Sequence, residues 1–300
     1  MQKRFLAINL VIILFLVGLI FYQVENTSPV LSEKTSKVVI TLGEDLTEKQ
    51  KQEVMKTFDK WKNNKNVRII TVSNAEERKY LEGKIDDKLI GTKAISSSYC
   101  ELLNGTAGLD IETEKITAIT PFMYANALTT AGVEDARLLV IAPFEVSGTA
   151  ALTGIIKAFE TATGKELDEN AKKTAYQELS ETYKLSDKYG QSSAENMIHD
   201  IKRQIIDRDV TSPEQIKPII IEISNHYNIE LTSAEIDRIM LLMQKYQNIK
   251  LDTGKIDEQL NNISRSLAEI KGVANKSLSV IEKIIDFFKN MIAELRNMFG

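Results

Sequence analysis

Between Ala142 and Ile155 the chain reads APFEVSGTAALTGI, and Ser147-Gly148-Thr149 stands where an apolar run hands over to a helical pattern. Backbone amides at a helix start are unpaired and carry the positive end of the helix dipole, so this trio suits an anion. No phosphate-loop pattern surrounds it: Gly148 and Gly154 are not followed by a Lys-Ser or Lys-Thr pair, and no G-x-G-x-x-G is present. The plainer alternative has Ser147 cap its helix while Gly148 lets helix and sheet approach. A second hydroxyl row, Ser96-Ser97-Ser98, raises the question of a nucleophile. A serine hydrolase needs a base and an orienting group, and no G-x-S-x-G elbow frames these serines. Cross-strand hydrogen bonding is the competing account. No residue is assigned a catalytic role; Ser96, Ser97, Ser147, Gly148 and Thr149 are the candidate ligand or partner contacts.

Other chemistry is scarce. His199 and His226 are the two histidines and Cys100 the one cysteine, so neither a zinc site nor an intrachain disulfide is expected. Cys100 reads as a small, buried strand residue. The carboxylates of Asp86-Asp87 and of Glu166 to Glu169 read as solvated faces rather than as a glycosidase pair. No cofactor motif is present. The formal charge is −4, and more negative beyond Lys3 and Arg4, which argues against a nucleic-acid partner.

The elements that must position these groups follow from periodicity. Val38 to Leu42 and Val67 to Val72 read as strands, Lys93 to Leu102 as a strand of small and hydroxyl residues, and Leu109 to Ile119 as a strand pair or one long bent strand. Arg137 to Ala142 is the most apolar run and is expected at the sheet centre. Thr47 with Gln50 forms a capping box; Asn74 with Glu77 is read as another. Thr120-Pro121 starts a helix that Gly132 ends, and a further helix runs from Ser147 to Gly164. From Leu167 onward the segments are helical: Thr174 to Leu185, Ser193 to Asp207, one from Ser212-Pro213, and one opened by Thr232 with Glu235. The fold class is therefore α/β, a mixed sheet with helices, followed by an all-α section ending in amphipathic coiled-coil-like helices. The expected domains are 1–22 (membrane anchor or signal sequence), 23–35 (linker), 36–165 (α/β), 166–250 (helical) and 251–300 (heptad-like helices).

Two regions speak to location and partners. Lys3 and Arg4 precede the apolar run Phe5 to Tyr22, whose eighteen residues would span about 27 Å as a helix, close to a hydrocarbon core. The basic flank places the amino terminus inside and the bulk of the chain outside. Gln23 to Asn26 offers no small-residue cleavage pair, which favours a single-pass anchor in the cell membrane over secretion after cleavage. At the other end Ile256, Leu260, Ile263, Leu267 and Ile270, then Leu278 through Phe299, keep a 3.5-residue period. That seam is expected to pack or self-associate; the mixed charge of its polar face argues against a membrane-surface helix.

Ser96-Ser97, Met123 to Leu128, Thr130-Ala131-Gly132, Pro143-Phe144 and Val146 to Ile155 form one set of motifs within Ala94 to Glu160. On these the chain resembles the domain of unknown function 1002 family, and the resemblance extends more thinly over Lys37 to about Lys250. It implies an extracytoplasmic protein of a family found mainly in Gram-positive bacteria, with no assigned reaction and no catalytic residues to carry over. Members commonly begin with a signal peptide, from which an uncleaved anchor would depart. The expected function is that of a non-enzymatic envelope protein binding a wall polymer or a protein partner; the alternative is a wall-active hydrolase using Ser96 to Ser98 and Ser147.

Overall fold

The computed structural model describes residues 37–249, apart from 62–65, 106, 209 and 248. The expected anchor (Phe5 to Tyr22) and the heptad seam (Ile256 to Phe299) lie outside the described residues. Among the described residues no helix is long and apolar enough to cross a membrane.

Among the described residues five strands form one mixed sheet: β1 (Val38–Gly43), β2 (Val67–Val72), β3 (Ser97–Leu102), β4 (Leu109–Ile116) and β5 (Ala136–Val146), in the order β2-β1-β3-β5-β4. β1 is parallel to β2 and β5 to β4, while β3 runs antiparallel to both of its neighbours. β3, not the more apolar β5, is thus the middle strand. Leu109 to Ile116 is a single strand whose register slips between Glu114 and Ile116, where Lys115 adopts a positive φ of 60°. β1 is buried along its whole length, as a strand covered on both faces must be.

Alternate side chains serve two cores. On one face Ile40, Tyr99 and Leu139 pack under Val54 and Phe58 of α1 (Glu48–Phe58), which the Thr47–Gln50 capping box begins. On the other face Val39, Cys100, Leu138 and Val140 pack under α4 (Pro121–Ala131), α5 (Thr149–Thr163) and α6 (Glu169–Tyr189). Between β2 and β3 lie α2 (Asn74–Leu81) and the short α3 (Asp87–Ile90). α5 lies close on the sheet because residue 154 is glycine: a Cβ there would stand 3.2 Å from Thr41 Cγ2, and Thr41 Oγ1 donates to the Gly154 carbonyl at 2.8 Å.

α1 joins β1 to β2 and α4 joins β4 to β5. Both connections link adjacent parallel strands and step the same way along the sheet, yet their helices cover opposite faces. Two such crossovers are of opposite hand, so one breaks the usual right-handed rule.

Among the described residues helices follow the sheet without further strands: α6, then α7 (Gln191–Asp207), α8 (Pro213–His226) and α9 (Ser233–Gln247). Met197, Ile201 and Ile205 on α7 meet Ile216, Ile220 and Ile223 on α8, with Ile239, Leu242 and Met243 from α9. Where α4, α6 and α7 meet, the interior turns polar. Lys202 Nζ lies 2.6 Å from Glu178 Oε1 and donates to the Asn126 carbonyl and to Thr130 Oγ1, both at 3.0 Å. The Thr130 hydroxyl also bonds Glu178, and the Tyr246 ring sits 5.3 Å from the ammonium. His199 Nδ1 stands 3.3 Å from Asn126 Oδ1 in the same seam.

Candidate functional site

The β5–α5 turn is held from below. Thr117 N donates to the Val146 carbonyl at 2.9 Å, and Ala118 N and Ile119 N reach the Ser147 carbonyl at 3.3 and 3.2 Å. The buried Tyr124 hydroxyl donates to the Gly148 carbonyl at 2.5 Å. Gly148 has φ +95°, and a Cβ would stand 2.5 Å from that hydroxyl and closer still to Ile116 Cγ2. Only glycine fits the turn without displacing both.

Gly148, not Ser147, is the cap residue of α5, and no side chain caps the helix's first turn. The expectation that Ser147 caps its own helix is therefore overturned. Its hydroxyl donates to the Leu89 carbonyl at 2.6 Å, and Thr149 Oγ1 reaches the same carbonyl at 3.3 Å. The carbonyl of α3 thus holds the Ser147 hydroxyl to the side, and the helix start keeps no side-chain cap.

That start opens into a cleft of about 400 Å³ lined by Asp45 and Thr47 after β1, Lys88 to Lys93, Ser96 before β3, Val146 to Ala150, and Glu77 from α2. The cleft lies where β1 and β5 end, the edge at which open α/β sheets receive ligands.

Glu77 is fully buried. Asn74 Nδ2 donates to its Oε2 at 3.3 Å, while Oε1 has no hydrogen-bond partner. Burial pushes its carboxyl up to about 7, against the opposing pull of the Thr149 hydroxyl, the Asn74 amide and the Arg78 charge. Neighbouring side chains explain why this residue is available. Ser73, one position before the predicted cap, begins α2, and Glu76 closes the capping box, accepting from Ser73 N at 2.8 Å. Glu76 also pairs with Lys157 of α5 at 2.5 Å. Ser73-x-x-Glu76 and Asn74-x-x-Glu77 overlap in sequence, and one helix start uses only one of them. The carboxylate left over turns to the cleft, and the doubled motif was its one sequence trace.

The serine row divides. Ser96 lines the cleft, Ser97 Oγ accepts from Gly43 N at 3.1 Å and ties β3 to β1, and Ser98 Oγ lies beneath Gly154 without a partner. The structure thus brings Ser96, Ser147, Gly148 and Thr149 together and leaves Ser97 outside. Lys93 to Ser96 precede the strand predicted to contain them, because Ala94 bonds Asp45 instead: its amide donates to Asp45 Oδ2 at 2.7 Å and its carbonyl accepts Asp45 N at 3.2 Å. Among the described residues neither histidine lines the cleft that holds Ser147. His199 sits in the buried helical seam, where burial pushes its imidazole down to about 3, followed by the charges of Lys202 and Arg203. Cys100 is buried in the sheet, and burial pushes its thiol up to about 12. Among the described residues no group of three His, Cys, Asp or Glu side chains is placed to hold a metal ion.

The arrangement suits recognition: the uncapped helix start offers the Thr149 and Ala150 amides, Ser96 a hydroxyl, and Glu77 an unused oxygen. The chain is similar over 263 residues to uncharacterized protein YpuA of Bacillus subtilis (strain 168), with 37% identity, covering 87% of this chain and 89% of that one. No solved structure matches it. Residues 42–263 match the model of the family described as protein of unknown function (DUF1002), and with the cleft-forming segments inside that span the chain belongs to this family.

Proposed function

We propose that this is a membrane-anchored, outward-facing binding protein whose cleft takes a short polar stretch of a wall polymer. The observation that carries the reading is the pairing, in one cleft, of an uncapped helix start with the buried, unpartnered Glu77 Oε1. A buried polar atom without a partner costs about 1–3 kcal/mol, and a hydrogen bond to the ligand would recover that. Binding is favoured over hydrolysis because the Ser147 hydroxyl is committed to a backbone carbonyl. The outward placement is supported by Lys3-Arg4 ahead of the apolar run Phe5 to Tyr22.

Photo-crosslinking in intact cells tests it. Phe144 is exposed at the cleft rim and Ile69 is exposed on β2. A benzoylphenylalanine at 144 is expected to capture wall material and one at 69 to capture none. Equal capture, or none at 144, would refute the cleft as the contact. Self-association through Ile256 to Phe299 is a second proposed contact, supported by the 3.5-residue spacing. Sedimentation of the full chain in detergent should show an oligomer that Ile263→Asp disperses; a monomeric parent chain would sink it.

A further inference from the structure

We infer that the ligand presents an oxyanion, a carboxylate or a phosphodiester, to the first turn of α5, and that it enters when Glu77 carries a proton. This rests on the cleft being the binding site and goes on to name the ligand's chemistry.

The first turn of α5 projects the positive end of a fifteen-residue helix into the cleft, and no side chain caps it. Lys88 and Lys93 line the same space. Asp45 lines it too, but one of its oxygens is held by Ala94 N at 2.7 Å. Glu77 is the independent feature, being fully buried with one oxygen unsatisfied on the cleft wall. Ionised, Glu77 places a negative charge under the helix start and acts there as an internal substitute for an anion. Protonated, it becomes an O–H donor toward the ligand oxygen and the competing charge is gone.

The surroundings leave this proton to Glu77. Facing it are Asn74 and Arg78 on its own helix, Thr149 on α5, Tyr124 on α4, Tyr176 on α6, and the cleft groups Asp45, Lys88 and Lys93. Burial holds both phenols far above the neutral range, so they stay uncharged. A carboxyl titrating near 7 is about nine-tenths protonated at pH 6 and about one-tenth at pH 8, so apparent affinity should change about tenfold between them.

The test uses isotope-labelled full-length protein in detergent. Acetate and dimethyl phosphate are titrated in at pH 6 and pH 8, since each keeps a constant single charge over that interval. Shifts of the backbone amides of Thr149 and Ala150 are followed, the Ala151 amide being held by the Gly148 carbonyl at 3.1 Å. Binding about tenfold weaker at pH 8 is expected, with Glu77→Gln holding the pH 6 affinity at both values. The tighter of the two anions separates a peptide carboxylate from a phosphodiester polymer. Equal affinity at both pH values in the parent protein, or no shift with either anion at pH 6, overturns the inference whether or not the variant folds. In the latter case a chitin tetramer is added. Shifts at Ser96 and Gly148 would then leave the cleft a binding site without this chemistry; no response would remove both readings.

Discussion

Replacing Gly148 by alanine tests the turn that creates the cleft. Two costs are separable. A φ of +95° is strained for any residue with a Cβ, at about 1 kcal/mol. The new methyl group would also stand 2.5 Å from the Tyr124 hydroxyl and nearer to Ile116. Either the hydrogen bond from Tyr124 to the Gly148 carbonyl breaks, at about 1 kcal/mol, or the turn and Ile116 shift, at about 1–3 kcal/mol. The total is about 2–4 kcal/mol. Gly164→Ala supplies the reference: its φ is +68° and nothing lies within 4 Å of the added carbon, so backbone strain of about 1 kcal/mol is the whole cost. Urea unfolding followed by Trp61 fluorescence measures both. Gly148→Ala combined with Tyr124→Phe should cost about 1 kcal/mol less than the sum of the single changes, because removing the hydroxyl removes one of the two obstacles. If Gly148→Ala is no more costly than Gly164→Ala, the crowded turn is wrong; strict additivity would clear Tyr124 of any part in it.

In the polar seam, Lys202→Met or Glu178→Leu alone should cost about 3–5 kcal/mol in urea unfolding, whereas the two combined should cost far less than their sum; additive losses would contradict a coupled buried pair. Because the folded state holds the His199 imidazole near 3, below its ordinary 6.5, its contribution is present above pH 6.5 and is lost as pH falls from there toward 3. The stability gap between the parent protein and His199→Asn should therefore narrow steadily on acidification, and a constant gap would refute it. The Cys100 thiol should resist Ellman's reagent in the folded protein and react fully in denaturant, since it is buried and its thiolate is disfavoured; rapid native labelling would contradict its placement.

Elements built from local rules were legible in the sequence. Thr47 with Gln50, Thr120-Pro121 with Gly132, and Thr232 with Glu235 all begin or end helices as their chemistry dictates. Val38 to Leu42 is a strand because its run of apolar, β-branched residues suits burial on both faces. What escaped depends on partners distant in sequence. Ser147 looks like a cap until the Leu89 carbonyl, 58 residues away, takes its hydroxyl. Lys93 to Ser96 has strand-like residues, but Asp45 holds Ala94 in a loop. Lys202 and Glu178 resemble solvated helix residues, and only the packing of α7 on α6 buries them. Glu77 was absorbed into the wrong capping box by a register of one, and its nearness to Thr149 comes from tertiary structure alone.

The opposed crossovers bear on how such a chain arose. Copies of one ancestral segment keep the hand of their connection, since the hand is written into the path of the backbone. β1-α1-β2 and β4-α4-β5 differ in hand, so they are not two copies of a single strand-helix-strand ancestor, however alike they look in outline. Rotating one unit within the sheet plane does not superpose it on the other, and grafting either in place of its counterpart would carry its helix to the wrong face.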